Sequence, residues 1–115
     1  MYSAELLKHF QNPRNVGELE APARMVEVIN PACGDILRLW ARFEGGRIVE
    51  VAYKTRGCTA SIAAGSALTE LLLGLGIAEL PGITAAKVEA AVGGLPPASR
   101  HAAGLCADAV QALMK

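Results

Sequence analysis

Apolar and polar residues alternate through the first half of the chain and change to helical spacing after Gly57. Ahead of the alternation, Leu6, Leu7 and Phe10 fall three and four residues apart, which predicts a short amphipathic helix over Ala4 to Phe10 with Ser3 as its N-cap. "NPRNVGELEAP" ends it, because Pro13 cannot continue the helical hydrogen bonds and Gly17 and Pro22 keep the segment irregular. Three strands follow. Met25, Val26, Val28 and Ile29 mark the first, and "ILRLWARF" sets Leu37, Leu39, Ala41 and Phe43 against Ile36, Arg38, Trp40 and Arg42. "RIVEVAYKT" sets Val49, Val51 and Tyr53 against Ile48, Glu50 and Ala52. Glu44-Gly45-Gly46 joins the last two as a hairpin, so the strands form an antiparallel meander.

Beyond Gly57, a helix from Cys58 or Thr59 to about Leu73 packs Ile62, Gly65, Ala67, Leu68, Leu71 and Leu72 inward and is stopped by Gly74 and Gly76. "TAAKVEAAV" predicts a second helix, capped by Thr84 and stopped by Gly93 and Gly94. In "ASRHAAGLCADAVQALMK", Leu105, Cys106, Ala109, Val110 and Leu113 lie at helical spacing. Strands followed by helices give an α+β fold, a three-stranded antiparallel sheet with helices packed on it.

Length supports one domain over residues 1–115, since a chain of this size buries roughly two-thirds of the surface it exposes when unfolded. Ala60 to Ile77 is the richest apolar run, but serines, Thr69, Glu70 and glycines interrupt it before about 18 residues, so it predicts a buried helix rather than a membrane span. "MYSAELLKHF" has neither a basic leader nor a small-residue cleavage site, and a cytoplasmic protein is expected. Net charge is zero with Lys and Arg scattered, which argues against a nucleic-acid partner. Three cysteines, an odd number, point to free, buried or metal-ligating thiols rather than a disulfide framework.

Cys33 and Asp35 sit where a turn marked by Pro31 and Gly34 enters a strand, and at this separation a thiol and a carboxylate can converge on one metal. The plain alternative is a half-buried cysteine beside an aspartate that stabilises the turn through an Asx bond. Cys58, in "TRGCTAS", stands at a strand-to-helix junction where free backbone N–H groups favour thiolate, or else is a small hydrophobe under the helix start. The meander brings the start of "ILRLW" and the end of "VAYKT" to one end of the sheet, which makes Cys33 and Cys58 neighbours. His101 lies near the start of the last helix, a position where a lone histidine is commonly just solvated or hydrogen-bonded, and His9 reads the same way. Cys106 falls on the apolar stripe and reads as a core residue, with a ligand role as the lesser alternative.

Taken together, "MYSAELLKHFQNPRNVG", "PACGD", "KTRGCTASIAAGS" and "LPP" followed by His101 resemble the IscU/NifU N-terminal family of iron-sulfur cluster assembly scaffolds, in order and across essentially the whole chain. The resemblance implies a small SufE/NifU-like α+β domain and a function without turnover chemistry. A nascent [2Fe-2S] cluster would be built from iron and from sulfur delivered by a cysteine desulfurase, then passed to acceptor proteins. It implies that Cys33 and Cys58 are cluster cysteines, that Asp35 is the carboxylate that keeps the cluster labile, and that His101 is the histidine beside a third cysteine. Here Ala102 stands where that third cysteine is expected, and alanine neither ligates nor accepts sulfur. "LCADAV" resembles the family's "LAEDAI" in register, which puts Cys106 at an alanine position about 6 Å along the helix from Ala102. Ser99 replaces the lysine expected after "LPP", which argues against docking of the specialised Hsp70.

Cys33, Asp35, Cys58 and His101 remain as two thiolates, a carboxylate and an imidazole, a donor set suited to iron-sulfur ligation and to tetrahedral zinc. The expectation is therefore a scaffold-like protein that binds iron or a transient [2Fe-2S] cluster. The alternatives are a zinc-binding or regulatory paralogue that assembles no cluster and a metal-free interaction module.

Overall fold

The computed structural model describes residues 2–115. The first helix, α1 (Ala4–Gln11), begins as its composition requires: the Ser3 hydroxyl accepts the Leu6 N–H at 3.0 Å and buries Leu6 in the core. Three strands follow, β1 (Arg24–Ile29), β2 (Ile36–Glu44) and β3 (Arg47–Arg56), in the sheet order β1-β2-β3 with both pairs antiparallel. A two-residue turn joins β2 to β3 through Gly45 and Gly46, both at positive φ. This is the backbone twist a tight hairpin needs.

One face of the sheet carries the core. Val26 and Val28 of β1 pair with Leu39 and Leu37 of β2, which pair in turn with Tyr53 and Thr55 of β3. The strict alternation expected for β3 fails at one point. Arg42 pairs with Glu50 while the next residue, Phe43, pairs with Ile48, so Val49 is an extra residue bulged out of the ladder. The bulge reverses the phase of the strand, and Ile48 shares the core face with Val51 and Tyr53 while Val49 is exposed.

After Gly57 the chain forms α2 (Thr59–Leu72), which is buried on nearly all sides from Ala60 to Thr69 because it lies against β3 and is contacted by α1 and by two later helices. Its small residues, Ala60, Ala63, Ala64, Gly65 and Ala67, allow that close approach. A 3-10 turn (Ile77–Gly82), absent from the sequence expectation, leads into α3 (Ala85–Ala91), where the Thr84 hydroxyl accepts the Lys87 N–H. A second 3-10 turn (Pro97–Ser99) leads into α4 (His101–Leu113), which packs on β1 and β2.

The irregular segment after α1 is also held. Its backbone joins the free edge of β3, with the Tyr53 N–H donated to Asn15 O and the Gly17 N–H to Tyr53 O, both at 3.0 Å. Among the described residues no helix is long and apolar enough to cross a membrane.

Candidate metal centre

Three chain junctions meet at one end of the sheet: the turn entering β2, the step from β3 into α2, and the start of α4. The pairing Ile36↔Arg56 brings the first two together, since Asp35 and Gly57 are the residues just beyond it. The Asn30–Gly34 turn is closed by the Gly34 N–H donated to Asn30 O at 2.7 Å and by the Asn30 N–H donated to Asp35 O at 2.8 Å. Its Asx bond comes from Asn30, whose Oδ1 accepts the Ala32 N–H at 2.9 Å, and not from Asp35. The Asp35 side chain is thereby released for another task.

That task is to face α2. Cys58 is the N-cap residue of the helix and makes no side-chain capping bond of its own. The Asp35 carboxylate, arriving from a different element, accepts the Ser61 hydroxyl in the first turn of the helix and gains from the positive end of the helix. The site is assembled around one atom, Asp35 Oδ2. It lies 2.5 Å from Ser61 Oγ, 3.5 Å from Cys58 Sγ and 3.4 Å from His101 Nε2. Cys58 Sγ and His101 Nε2 are themselves 3.6 Å apart, and donor atoms of Cys33, Asp35 and His101 all fall within 4.8 Å of one another. Cys33 is exposed, Cys58 and His101 are partly buried, and Asp35 is only 7% exposed.

Burial by itself would raise the Asp35 pKa. Hydrogen bonds from the Ser61 hydroxyl, the Cys58 thiol and N–H, and the Cys33 thiol outweigh it and hold the carboxyl below its ordinary 3.8. A buried anion is thus held at the centre of two thiols and an imidazole, and an incoming cation meets a negative charge already in place.

The distances suit such a cation. Bonds of about 2.0–2.3 Å to a tetrahedral metal place ligand atoms about 3.3–3.8 Å apart. The 3.4, 3.5 and 3.6 Å separations among Asp35, His101 and Cys58 are edges of that size. The structure therefore brings together Cys33, Asp35, Cys58 and His101. It does not bring Cys106, which is 1% exposed in the core and whose thiol burial pushes up to about 12. Ala102 is fully buried. His9 is engaged elsewhere, with Nδ1 2.7 Å from Ser66 Oγ and Nε2 3.4 Å from Glu70.

Two residues of the site escape the sequence reading. Ser61 looks like one more small residue of a buried helix, although its place three residues after Cys58 puts it in the first turn, where side chains reach back over the cap. Along the sequence Gly57 marks only the change from alternating to helical spacing. Its real constraint is spatial, because a Cβ there would lie 2.5 Å from Asp35 Cγ and 2.7 Å from each carboxylate oxygen.

Comparison with known proteins agrees with this architecture. The NifU-like N terminal domain family matches residues 1–115. An Archaeoglobus fulgidus protein named iron-sulfur cluster assembly scaffold protein IscU 1 is 41% identical over 111 residues, which cover 96% of this chain and 72% of that protein. The iron-sulfur cluster assembly scaffold protein IscU of Azotobacter vinelandii is 36% identical over 118 residues, covering 99% of this chain and 91% of its own. In fold, the chain is similar to the crystal structure of a proposed SUF-system scaffold from Fervidobacterium islandicum AW-1, with a TM-score of 0.80 at 19% identity over 99% of this chain and 96% of that one. By its sequence, its three-stranded meander and the helices packed on it, this chain belongs to the NifU-like N-terminal domain family.

Proposed function

We propose that the protein is an iron-sulfur cluster assembly scaffold whose cargo, iron or a nascent [2Fe-2S] cluster, is held by Cys33, Asp35, Cys58 and His101. The observation that carries this reading is the convergence of donors from three chain segments at one end of the sheet, with Asp35, Cys58 and His101 mutually 3.4–3.6 Å apart and Cys33 within 4.8 Å of Asp35 and His101, in a chain of the scaffold family. Thiolates suit iron and sulfide, imidazole is an accepted cluster ligand, and a carboxylate is a harder donor that holds such cargo less firmly and favours its release.

Ala102 removes the third thiol, so the sulfur-accepting role falls to a thiol within reach of a donor enzyme. Cys33 is exposed on its turn, whereas Cys106 is sealed in the core. A cysteine desulfurase as sulfur source and apoproteins as acceptors are the partners this role requires. Ser99, at the position of the missing motif lysine, is only 8% exposed and offers a chaperone little to grip.

Anaerobic reconstitution with iron and sulfide tests the proposal. The wild type develops cluster absorbance, Cys33→Ser and Cys58→Ser lose it, and Cys106→Ser keeps it. No absorbance in the wild type, or undiminished absorbance in Cys33→Ser, rejects the proposal. Zinc at about one per chain with no sulfur uptake from a desulfurase would identify a zinc-binding paralogue instead.

A further inference from the structure

Ser61 carries a hydroxyl that the scaffold reading leaves without a purpose. It is 3% exposed, in the first turn of α2, and its Oγ touches two groups of the candidate centre: Asp35 Oδ2 at 2.5 Å and Cys58 Sγ at 3.4 Å. A serine three residues into a helix ordinarily turns back to its own cap. This one sends its proton past the cap to a carboxylate from the turn entering β2. It is not itself a metal donor in this arrangement, because 2.5 Å is a hydrogen-bond distance, while two atoms on one tetrahedral shell stand about 3.3 Å apart or more.

The oxygen it holds is the one that faces Cys58 and His101. A hydroxyl on one lone pair of Oδ2 leaves the other directed into the donor cluster, and it sets the plane of the carboxylate. Loading makes this bond more important. Asp35 Oδ2 accepts hydrogen bonds from the Ser61 hydroxyl at 2.5 Å and from the Cys58 thiol at 3.5 Å. The Cys58 thiol must give up its proton to bind a metal, and it ceases to be a donor when it does so. The Ser61 hydroxyl is the donor that survives. Ser61 is therefore the side chain equipped to orient Asp35 in both the free and the loaded site.

We propose that Ser61 is a positioning residue of the centre, fixing Asp35 as a ligand through Oδ2 alone and thereby setting how firmly and in what geometry the metal is held. The inference rests on the reading of Cys33, Asp35, Cys58 and His101 as metal ligands. Its consequence is that retention of cargo is tuned by a residue outside the donor set.

Anaerobic Co2+ titration, with chelator competition and the visible ligand-field spectrum as readouts, tests it on the full chain. Ser61→Ala should weaken Co2+ binding by about tenfold or more and shift the ligand-field bands, the usual result of removing a hydrogen-bond partner of a ligand. Ser61→Thr and Ser61→Val, which differ by a hydroxyl against a methyl at similar volume, repeat the comparison should the alanine variant fold poorly. Threonine should bind within about threefold of wild type, and valine should behave as alanine does. Binding by Ser61→Ala within twofold of wild type with unchanged bands overturns the proposal, as does equal loss in the threonine and valine variants, which would assign the effect to packing. Failure of the wild type to bind Co2+ stoichiometrically overturns the metal-site reading itself. Intact wild-type binding with an indifferent Ser61→Ala removes only the role of Ser61.

Discussion

Gly57→Ala is a one-carbon change aimed at the centre of the site. The added Cβ would stand 2.5 Å from Asp35 Cγ and 2.7 Å from both oxygens, whereas ordinary contact begins at 3.4 Å. Relief requires the carboxylate to retreat by about 0.9 Å, the difference between those distances. A retreat of that size breaks the 2.5 Å bond from Ser61 and withdraws Oδ2 from Cys58 and His101. Loss of a hydrogen bond to a buried charge costs about 1.5–3 kcal/mol. Against it stands about 0.4–1 kcal/mol gained because alanine stiffens the unfolded chain, since φ at residue 57 is outside the glycine-only region. The net loss is about 1–2 kcal/mol, or about 4–8 °C in Tm for a chain of this size.

Thermal unfolding of the metal-free protein measures the stability loss, and Co2+ titration should show binding weakened by about tenfold or more. The decisive control is the same substitution in an Asp35→Ala background. With no carboxylate to displace, the cost should vanish and Gly57→Ala should become neutral or slightly stabilising. An equal cost in both backgrounds would refute the steric account, as would a Gly57→Ala single variant with wild-type Tm and wild-type metal affinity.

Thiol titration of the native, metal-free protein should count Cys33 as fast, Cys58 as slow and Cys106 as unreactive until denaturant is added, following their exposed, intermediate and buried positions. A third thiol reacting in the native state would contradict the placement of Cys106. Because the Cys106 pKa is raised from 9.0 to about 12, the unfolded chain releases this proton while the folded chain keeps it. Its stabilising contribution is full below pH 9.0 and is lost as pH rises toward about 12, with a slope near 1.4 kcal/mol per pH unit that Cys106→Ala should remove from urea unfolding curves. Ser3→Ala removes the cap that accepts the Leu6 N–H and the hydroxyl that donates to Val92 O, and should cost about 1–2 kcal/mol in the same assay while leaving Co2+ affinity unchanged.

Local chemistry alone determined a good part of this protein. Ser3 and Thr84 cap helices because a hydroxyl reaches N–H groups two or three residues away, Gly45 and Gly46 turn a hairpin because only the chain beside them matters, and Leu37, Leu39 and Ala41 line one face because a strand has period two. Those short-range rules also put Cys33, Asp35 and Cys58 at one end of the sheet and Cys106 in the core. Tertiary structure decided the rest. The Val49 bulge, which turns Ile48 inward, answers to the packing of β3 on β2 and α2 and not to the apolar pattern of "RIVEV", which reads equally well in the other phase. The purposes of Gly57 and Ser61 are invisible along the chain, because each is defined by a carboxylate more than twenty residues away. A sequence shows which side chains could do chemistry. Which oxygen of Asp35 faces His101, and what holds it there, depends on three junctions meeting, and only the folded chain makes them meet.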